Sequence, residues 1–481
     1  MKYIKISIVI LSVSFISIFA YKLTTNNSNN KISLTKEQMK EMLSYTIDGN
    51  STSSMPTKGS GYKVKSITCK SGSILSWDND NWLLEVEKLE SEDLCNIDFT
   101  TGTGSYTVTA VPNIAGFLDS TSKTTTENGQ VTFYTNLVID SVSGCTNEIS
   151  DGKVIVKNVT SNTTCNINVS YMKLYDKLLA DKSTRLTRTD FSTVLTTDNT
   201  NTLYTSTEDS KTVYYFAGNA TDNWVQFGGY YWRIIRTNSD GGVRLLYHGT
   251  STTAENAYIG ESAFNNSYNN IAYVSYMYGS TGSIANARTN QTNSSTIKTA
   301  IDNWYKDNLN TNYGKYLSTT AVYCNDRSTS DNTYFGAYTR LKTNKTPSYD
   351  CAATEDKFTA DTSTGNGKLT YPIALMTADE VSFAGGLWGT NAQTWYYYNS
   401  AKGSSTGEQW WWLLSPASGN GSYAYVFFVV GSSNPGFLSS TYVSHTYGVR
   451  PAVSLKSCVK TSGGDGSASA PYTIEESTSG C

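Results

Sequence analysis

The chain has 481 residues and a formal net charge of −3, from 37 Lys and Arg against 40 Asp and Glu. This balance, with no clustered basic tract, argues against the basic face that nucleic-acid binding requires. The unusual counts are 35 Tyr and 10 Trp against 2 His and 8 Pro, a usage that fits extracellular β-rich surfaces, where Tyr offers rigid contact area.

The first 24 residues have the form of an export segment. A short basic lead precedes the apolar run at residues 6–21, and Ala20 stands just before polar sequence. This pattern is typical of a secretory signal peptide, and the run would cross a membrane as a helix if it were left uncleaved. We expect residues 1–24 to be a signal peptide or a signal anchor. The rest of the chain is expected to be extracellular, attached to the bacterial cell membrane or secreted.

Residues 25–50 are predicted to form a polar linker and a short stalk helix. Met39, Met42 and Leu43 fall on one face of a helix with this spacing. A methionine stripe of this kind usually packs against its own protein, and partner binding is the alternative.

All eight cysteines follow the export segment. An even number in an exported chain predicts disulfides, although sequence alone allows many pairings. Pairing between neighbours is expected because each neighbouring pair lies inside one candidate structural unit. The expected pairs are Cys69 with Cys95, Cys145 with Cys165, Cys324 with Cys351, and Cys458 with Cys481. None has CxxC spacing, which argues against zinc and thioredoxin-type sites.

Two small all-β modules are predicted at residues 52–102 and 103–172, from short β-like runs separated by polar turns. Cys95-Asn96-Ile97 recurs as Cys165-Asn166-Ile167, and each follows an earlier cysteine. This indicates a repeat with one disulfide per copy. The modules resemble Ig-like or β-grasp-like repeats of bacterial surface proteins, and the resemblance implies a spacer role.

Two tryptophans flank a polar turn in the first of these modules. We interpret Trp77 and Trp82 as the core and lid of a small β module. Carbohydrate binding by the two indoles is the alternative.

Residues 173–211 begin with an amphipathic pattern and continue as Thr- and Asp-rich sequence, which predicts a helical linker. Aromatic residues then become denser, which indicates one large domain at 212–458, followed by a disulfide-tied tail at 459–481. Alternating strands around an Asp-Gly turn predict a hairpin near its start. Ser295 and Thr377 are predicted to cap two helices.

Three motifs stand in order within this domain: Tyr231-Trp232-Arg233-Ile234-Ile235-Arg236, Trp411-Trp412-Leu413-Leu414-Ser415-Pro416 and Gly448-Val449-Arg450-Pro451-Ala452-Val453. Their combination resembles DUF6273-like domains of bacterial surface proteins. Those domains are similar to the C-type-lectin fold that formylglycine-generating-enzyme-like domains share. The resemblance covers residues 212–458 and implies helices bracing a twisted antiparallel sheet. The predicted fold class is multi-domain: an N-terminal anchor helix, two small all-β disulfide-stapled modules and a C-terminal α+β C-type-lectin-like domain.

The resemblance also implies a ligand-binding face on the late strands and loops, within residues 422–447. The candidate ligand-binding residues are Tyr423, Tyr425, Phe428, Asn434, Phe437, Tyr442 and His445. The alternative is that alternate aromatic residues fill the inner face of a sheet. Trp232 and Arg450 are assigned structural roles, because a guanidinium in an apolar strand needs fixed partners, as an ion pair or a backbone clamp.

The sequence predicts no catalytic residue, no cofactor and no metal site. His248 and His445 are the two histidines, so a triad or a metal–histidine site would rest on a single residue. The enzymatic relatives of the lectin-like fold use an active-site cysteine pair, whereas the cysteines here are expected to be staples. Calcium binding stays open, since oxygen ligands are common.

The sequence therefore predicts an exported cell-surface binding protein, adhesin-like or variable in its recognition surface, with a lectin-like head on β spacer modules. Its expected partners are a protein or glycan ligand on another surface and, through the N-terminal segment, the membrane, but no nucleic acid. The alternatives are a structural cell-envelope protein without a specific ligand and a secreted hydrolase or modifying enzyme.

Overall fold

The chain divides into two compact units, Met1–Ser170 and Tyr171–Cys481. The computed structural model describes residues 5–11, 18–24, 41–78, 82–90, 92–102, 104–253, 257–329, 333–392, 398–399, 402–403, 410–431, 434 and 436–481. Unit 1 contains two β modules, and unit 2 is a mixed domain in which strands outnumber short helices. The expectation of a mostly β, multi-domain chain is confirmed at this level.

Module 1 consists of two sheets. Its strands are β1 (Lys5–Leu11), β2 (Ile18–Thr24), β3 (Leu43–Ile47), β4 (Asn50–Thr52), β5 (Tyr62–Cys69), β6 (Ile74–Asp78), β7 (Leu83–Lys88) and β8 (Cys95–Thr101). One sheet has the order β4-β3-β8-β5, with β3 and β8 parallel, and the other has the order β2-β1-β7-β6. Leu84, Val86, Ile97 and Phe99 are buried at alternate positions of β7 and β8, as expected for strands with one face on a core.

Trp82 belongs to the core of module 1. It is 4% exposed, and its ring centroid lies 5.3 Å from that of Trp77 and 5.9 Å from that of Phe99. The indole N–H of Trp82 donates to the carbonyl of Pro56 at 3.1 Å. These contacts fit the core interpretation of this tryptophan.

Module 2 is a second two-sheet module. Its strands are β9 (Ser105–Pro112), β10 (Ser122–Thr126), β11 (Gly129–Tyr134), β12 (Val138–Ser143), β13 (Asn147–Ser150), β14 (Lys153–Val159) and β15 (Thr163–Ser170). The sheet orders are β10-β9-β15-β12 and β11-β14-β13. Phe133, Val154, Val156 and Ile167 lie in its core with at most 1% exposure.

The structure does not support the predicted N-terminal anchor helix. Lys5–Leu11 and Ile18–Thr24 are antiparallel strands, and the first of them also pairs with β7. The β-branched Ile and Val of this segment favour strand geometry once a neighbouring strand offers backbone partners. Among the helices of the described residues, none combines the length and apolar character of a membrane crossing.

Only the end of the predicted stalk helix lies within the described residues. Met39 and the rest of residues 25–40 lie outside the described residues. Met42 is helical, but Leu43 already begins strand β3. Leu43 packs against the module 1 core, so its apolar side chain serves a sheet rather than a helical face.

All four expected disulfides are present. They join Cys69 to Cys95, Cys145 to Cys165, Cys324 to Cys351 and Cys458 to Cys481. Each of the two modules therefore contains one disulfide, and unit 2 contains two. Disulfides of this kind persist in oxidising compartments, which fits an extracellular or secreted protein.

We expect the Cys145–Cys165 bond to stabilise module 2 by about 3 kcal/mol, because it closes a loop of moderate length in the unfolded chain. Replacing both cysteines with serine should therefore speed hydrogen exchange at the backbone amides of β12 and β15. Mass spectrometry of peptic fragments would measure this, with β5 and β8 of module 1 as the internal control. Unchanged protection of β15 would contradict the expectation.

Unit 2 contains the remaining strands, which are mostly short. They are β16 (Thr184–Thr187), β17 (Thr202–Glu208), β18 (Lys211–Tyr215), β19 (Trp224–Phe227), β20 (Tyr230–Thr237), β21 (Val243–Tyr247), β22 (Glu261–Ala263), β23 (Met277–Tyr278), β24 (Asn293–Ser294), β25 (Tyr323–Cys324), β26 (Lys357–Phe358), β27 (Ile373–Leu375), β28 (Tyr398–Asn399), β29 (Lys402–Gly403), β30 (Trp411–Gly419), β31 (Ala424–Val429), β32 (Leu438–Tyr442), β33 (Thr446–Gly448), β34 (Pro451–Leu455), β35 (Thr461–Gly463) and β36 (Tyr472–Ile474).

The helices of unit 2 connect these strands. They are α1 (Leu174–Asp181), α2 (Ile284–Arg288), α3 (Thr296–Asn308), α4 (Asn310–Tyr313), α5 (Gly336–Tyr338) and α6 (Ala378–Phe383), with 3-10 turns at Ile271–Val274, Gly314–Tyr316 and Thr354–Asp356 and a π-helical turn at Thr339–Asn344. Ser295 caps α3 through the N–H of Lys298. Thr377 caps α6 in a capping box with Glu380, so both predicted caps are confirmed.

Two sheets organise unit 2. The larger has the order β16-β17-β18-β20-β19-β36-β35, with β21, β34 and β27 joined beside β20. Residues 173–211, interpreted from sequence as a linker, contribute α1, β16 and β17, and the C-terminal tail contributes β35 and β36. The smaller sheet has the order β22-β33-β30-β31-β32.

The predicted hairpin near the start of the domain is present, with one more turn than the sequence indicated. The run 224–236 is two strands, β19 and β20, joined at Gly228 and Gly229. These glycines have φ of 63° and 78°, and a two-residue hairpin turn with both values positive favours glycine. Strand β21 then pairs with β20 as expected.

Trp232 and Arg450, which were predicted to be structural, are both held by buried contacts. Trp232 is fully buried, and its indole N–H donates to the carbonyl of Phe227 at 2.9 Å. The Arg450 guanidinium is also fully buried, donates to the carbonyl of Tyr247 and lies 4.8 Å from the ring of Trp411. Arg450 thus clamps the backbone at the end of β21.

Buried charges join the larger sheet to α6. Arg236 contacts Glu208 at 2.7 Å and Glu380 at 2.9 Å, and Arg244 contacts Glu380 at 2.8 Å. All four side chains are at most 10% exposed. Charges removed from water are tolerated when each has such partners.

Acid is expected to destabilise unit 2 through Glu208. Burial alone would raise the pKa of this carboxyl, but Arg236 holds the pKa at about 2. A carboxyl with a folded-state pKa below its unfolded value of about 4.3 adds stability above that pH. That stability, about 3 kcal/mol, is lost as the pH falls from about 4.3 towards 2.

The measurement is urea unfolding between pH 6 and pH 2. The Glu208→Gln variant should lose less stability over this range than the parent chain. Exposed Glu476 is the matched control, and Glu476→Gln should keep the parent's pH dependence. Equal pH dependence of the Glu208→Gln variant and the parent would refute a role for this carboxyl.

Candidate functional site

One face of the smaller sheet in unit 2 carries two groups of aromatic rings. Strands β31 and β32 set the centre of the first group, because Tyr425 and Tyr442 are directly opposite in their register. Their ring centroids are 4.5 Å apart at an interplanar angle of 76°. Cross-strand aromatic pairs at this spacing stabilise the sheet and fix each ring's orientation.

The first group extends from this pair in both directions. The ring centroid of Tyr268 lies 5.0 Å from that of Tyr442, and the ring centroid of Tyr423 lies 4.9 Å from that of Tyr425. A second group of rings, Tyr334, Tyr338 and Trp388, contacts Phe427 through Tyr338 and Trp388. Phe427 is two residues from Tyr425 on β31 and therefore lies on the same face of the sheet. We call the two groups together the aromatic belt; its members are Tyr268, Tyr442, Tyr425, Tyr423, Tyr334, Tyr338 and Trp388.

The far end of the belt is built by segments outside strands β31 and β32. The rings of Tyr334 and Tyr338 stack with their centroids 4.3 Å apart, and the ring of Trp388 packs edge-on against that of Tyr338 at a centroid distance of 5.2 Å. A β-bridge to Ser418 holds Tyr334 against β30, and a bridge to Leu438 holds Trp388 against β32. Backbone pairing therefore positions both segments on the sheet.

The belt is partly exposed along its length. Tyr268 and Tyr334 are 47% and 36% exposed, and the other five rings are half-buried. Phe427, fully buried, lies beneath the far end and contacts Tyr338 and Trp388. The rings thus rest on the core while presenting a side to solvent.

The phenols of the belt interact with one another. Burial raises the pKa of Tyr425 to about 12, and its hydrogen bond with Tyr442 adds to the rise. The neighbouring Tyr338 phenol raises the pKa of Tyr334. These hydroxyls consequently stay protonated at neutral pH and can donate or accept hydrogen bonds.

A cation borders the belt at its Trp388 end. The Lys342 ammonium lies 4.7 Å from the ring centroid of Tyr338 and 5.1 Å from that of Trp388. It also donates to the hydroxyl of Tyr338. This end of the belt therefore offers a positive charge next to aromatic faces.

Of the residues predicted from sequence to bind a ligand, Tyr423, Tyr425 and Tyr442 belong to the belt. Phe428 does not: it is 4% exposed and stacks on Trp410 at 5.2 Å, on the opposite face of β31. Successive side chains of a strand point to opposite faces, so a binding role shared by Tyr425 and Phe428 is corrected. Phe428 is a core residue.

The other three predicted residues lie outside the belt. His445 is exposed, and its Nδ1 lies 3.0 Å from the Tyr447 hydroxyl and 3.2 Å from Thr441 Oγ1. Asn434 is exposed in the turn between β31 and β32, where its carbonyl accepts from the N–H of Phe437. Phe437 is half-buried and packs against the core.

A second cluster of polar residues encloses a small cavity of about 20 Å³. Arg340 bridges Asp326 and Asp379 at its wall, beside the Arg236–Glu380–Arg244 network. A space of this size accommodates about one water molecule. The charged groups are engaged with one another, so we interpret this cluster as structural.

Two further features bear on chemistry. The His248 ring is buried and packs edge-on against Trp224 at 4.5 Å. Asp93 lies beside Cys69 and Cys95 within reach of a shared metal ion. Both sulfurs are in the disulfide, however, and the Asp93 carboxylate accepts the N–H groups of Ser71 and Ser73. Asp93 thus closes a turn.

The chain is therefore a disulfide-stapled, mostly β, multi-domain protein with an exposed aromatic belt. Residues 302–457 match the profile of a family described as "Domain of unknown function (DUF6273)". This confirms the DUF6273 resemblance for that segment, which contains all of the belt except Tyr268. The searches of curated proteins and of solved structures found no significant match.

Proposed function

We propose that the chain is an exported recognition protein that binds a protein or glycan ligand on another surface through the aromatic belt. The observation that carries the proposal is the clustering of seven rings, in a group of four and a group of three on one sheet face, each ring at least partly exposed. Isolated exposed apolar residues are ordinary, whereas a contiguous set marks an interaction site.

The chemistry of the belt suits binding. Tyrosine and tryptophan give large contact area at small entropic cost, because few torsions must be fixed. Binding hot spots are enriched in these residue types. The phenol hydroxyls and Lys342 add polar contacts that would orient a ligand. The four disulfides support an extracellular setting.

The finer architecture is part of the same proposal. We assign unit 2 the C-type-lectin-like fold that its sequence motifs suggested, and the two modules of unit 1 the role of spacers. The support is the DUF6273 match and the position of the belt on the late strands β31 and β32. In this reading the domain binds without catalysing a reaction.

The experiment is a binding screen of the full exported chain, with its disulfides formed, on glycan arrays and on bacterial and host surface proteins. A ligand whose binding is blocked by changes in the belt would support the proposal. Absence of any binding, together with belt-independent self-association, would instead favour a structural protein of the cell envelope. Turnover that requires His248 or His445 would favour an enzyme.

A further inference from the structure

The two modules of unit 1 have the same strand order. In module 1, β3 and β8 are parallel and β8 pairs with β5; in module 2, β9 and β15 are parallel and β15 pairs with β12. The β6–β7 hairpin corresponds to the β13–β14 hairpin. The disulfides Cys69–Cys95 and Cys145–Cys165 occupy matching places as well.

One strand of module 2 has no counterpart among strands β3 to β8 of module 1. Strand β11 follows β10 and pairs with the free side of β14. At the corresponding point of module 1, the chain passes from β4 to β5 through residues 53–61 without forming a strand. Strands β3 to β8 alone therefore leave one side of β7 without a partner.

The N-terminal strand β1 stands where β11 would be expected. In module 2, Val131 and Phe133 of β11 are opposite Val156 and Val154 of β14. In module 1, Ile6 and Ile8 of β1 are opposite Val86 and Leu84 of β7.

The hairpin partners fix the correspondence between the modules. Asn147 and Ile149 of β13 are opposite the same Val156 and Val154. Leu75 and Trp77 of β6 are opposite the same Val86 and Leu84. Strand β1 thus pairs with β7 at the equivalent residues, in the equivalent antiparallel direction.

We propose that module 1 is a strand-acceptor module, completed by residues 5–11 of its own chain. An unpaired strand edge exposes backbone N–H and C=O groups and invites pairing. Residues 5–11 have isoleucine at positions 6, 8 and 10, and apolar residues at alternate positions are typical of a strand. This inference is independent of the aromatic belt. It requires residues 5–11 to stay on the chain and outside the membrane, so it is incompatible both with cleavage of residues 1–24 as a signal peptide and with their insertion as an anchor.

The test is a cysteine pair placed by the register. Ser7 and Glu85 are Cα partners, and residues directly opposite in an antiparallel pair are within reach of a disulfide. The full chain carrying Ser7→Cys and Glu85→Cys should form an additional intrachain disulfide, found by peptide mass mapping. The matched control, Ser7→Cys with Lys88→Cys, is out of register and should not.

Mixing isotopically heavy and light chains distinguishes the source of the strand. A Ser7–Glu85 crosslink within one chain supports the proposal. A crosslink between heavy and light chains, or equal crosslinking of the control pair, overturns it.

A second measurement needs no added cysteine. Deleting residues 1–24 should speed hydrogen exchange at the β7 amides, while β14, which keeps β11, should be unaffected. Unchanged exchange at β7, or equal acceleration at β14, would overturn the proposal. Placement of the intact segment in a membrane would give no Ser7–Glu85 crosslink and would also overturn it.

Discussion

Replacing Glu380 with glutamine is expected to lower the free energy of unfolding of unit 2 by about 3–5 kcal/mol. Glu380 is 2% exposed, and its Oε1 accepts from both Arg236 and Arg244. Its Oε2 accepts the N–H of Thr377 in the capping box of α6. An amide retains the shape of the side chain but leaves two buried guanidinium groups without their shared countercharge.

The measurement is urea unfolding at pH 7, followed by the near-ultraviolet signal of the buried tryptophans. Glu476→Gln is the control, because it removes the same charge from an exposed position and should change stability by less than about 0.5 kcal/mol. A Glu380→Gln variant as stable as the control would show that the network contributes little.

The second large effect is expected at the centre of the aromatic belt. Once a ligand is in hand, Tyr425→Ala and Tyr442→Ala should each weaken binding by about 30-fold or more, equivalent to ~2 kcal/mol. The two rings contact each other at 4.5 Å, so their effects should not be additive. Binding would be measured by surface plasmon resonance with the full chain.

Two variants control for general damage. Tyr134→Ala removes a tyrosine that is 54% exposed in module 2 and should leave binding unchanged. Tyr425→Phe retains the ring and should retain most of the affinity if stacking dominates. Full affinity in the Tyr425→Ala and Tyr442→Ala variants would remove the belt as the recognition surface.

How much of this site could be predicted from the sequence depends on how far apart its residues lie along the chain. Tyr423, Tyr425 and Tyr442 were predictable because they lie in one short Tyr-rich stretch between two motifs. Tyr268, Tyr334, Tyr338 and Trp388 were missed, since nothing local links them to that stretch. The available signal was weak: aromatic residues in Gly-, Ser- and Asn-rich segments that also lack a regular strand pattern.

Alternation within β31 was informative but incomplete. A two-residue period separates Tyr425 and Phe427 from Val426 and Phe428, and it cannot tell which set packs on the core. The residues that pack against each face of β31 decide this. Trp410, Trp412 and Tyr447 cover Phe428. On the side of Tyr425, Phe427 is buried under Tyr338 and Trp388, whereas Tyr425 itself is covered only by half-exposed rings.

The sequence by itself determined the features set by short-range rules. Neighbouring cysteines paired inside their own units, and Ser295 and Thr377 capped helices through the next turn of backbone. The Asp-Gly turn joined the two strands of one hairpin. The last two of the three sequence motifs indicated the DUF6273 family, which matches residues 302–457. Each of these depends on residues close together in the chain or on a motif of fixed order.

Only the tertiary structure decided the features made by distant segments. It assembled the belt from segments between Tyr268 and Tyr442, and it placed Arg236 and Arg244 on one carboxylate from α6. It also paired residues 5–11, whose apolar run indicated a helix, with β7. The physical reason is common to all three: an apolar or charged side chain is stabilised by whichever partner the fold brings to it, and that partner is not encoded nearby.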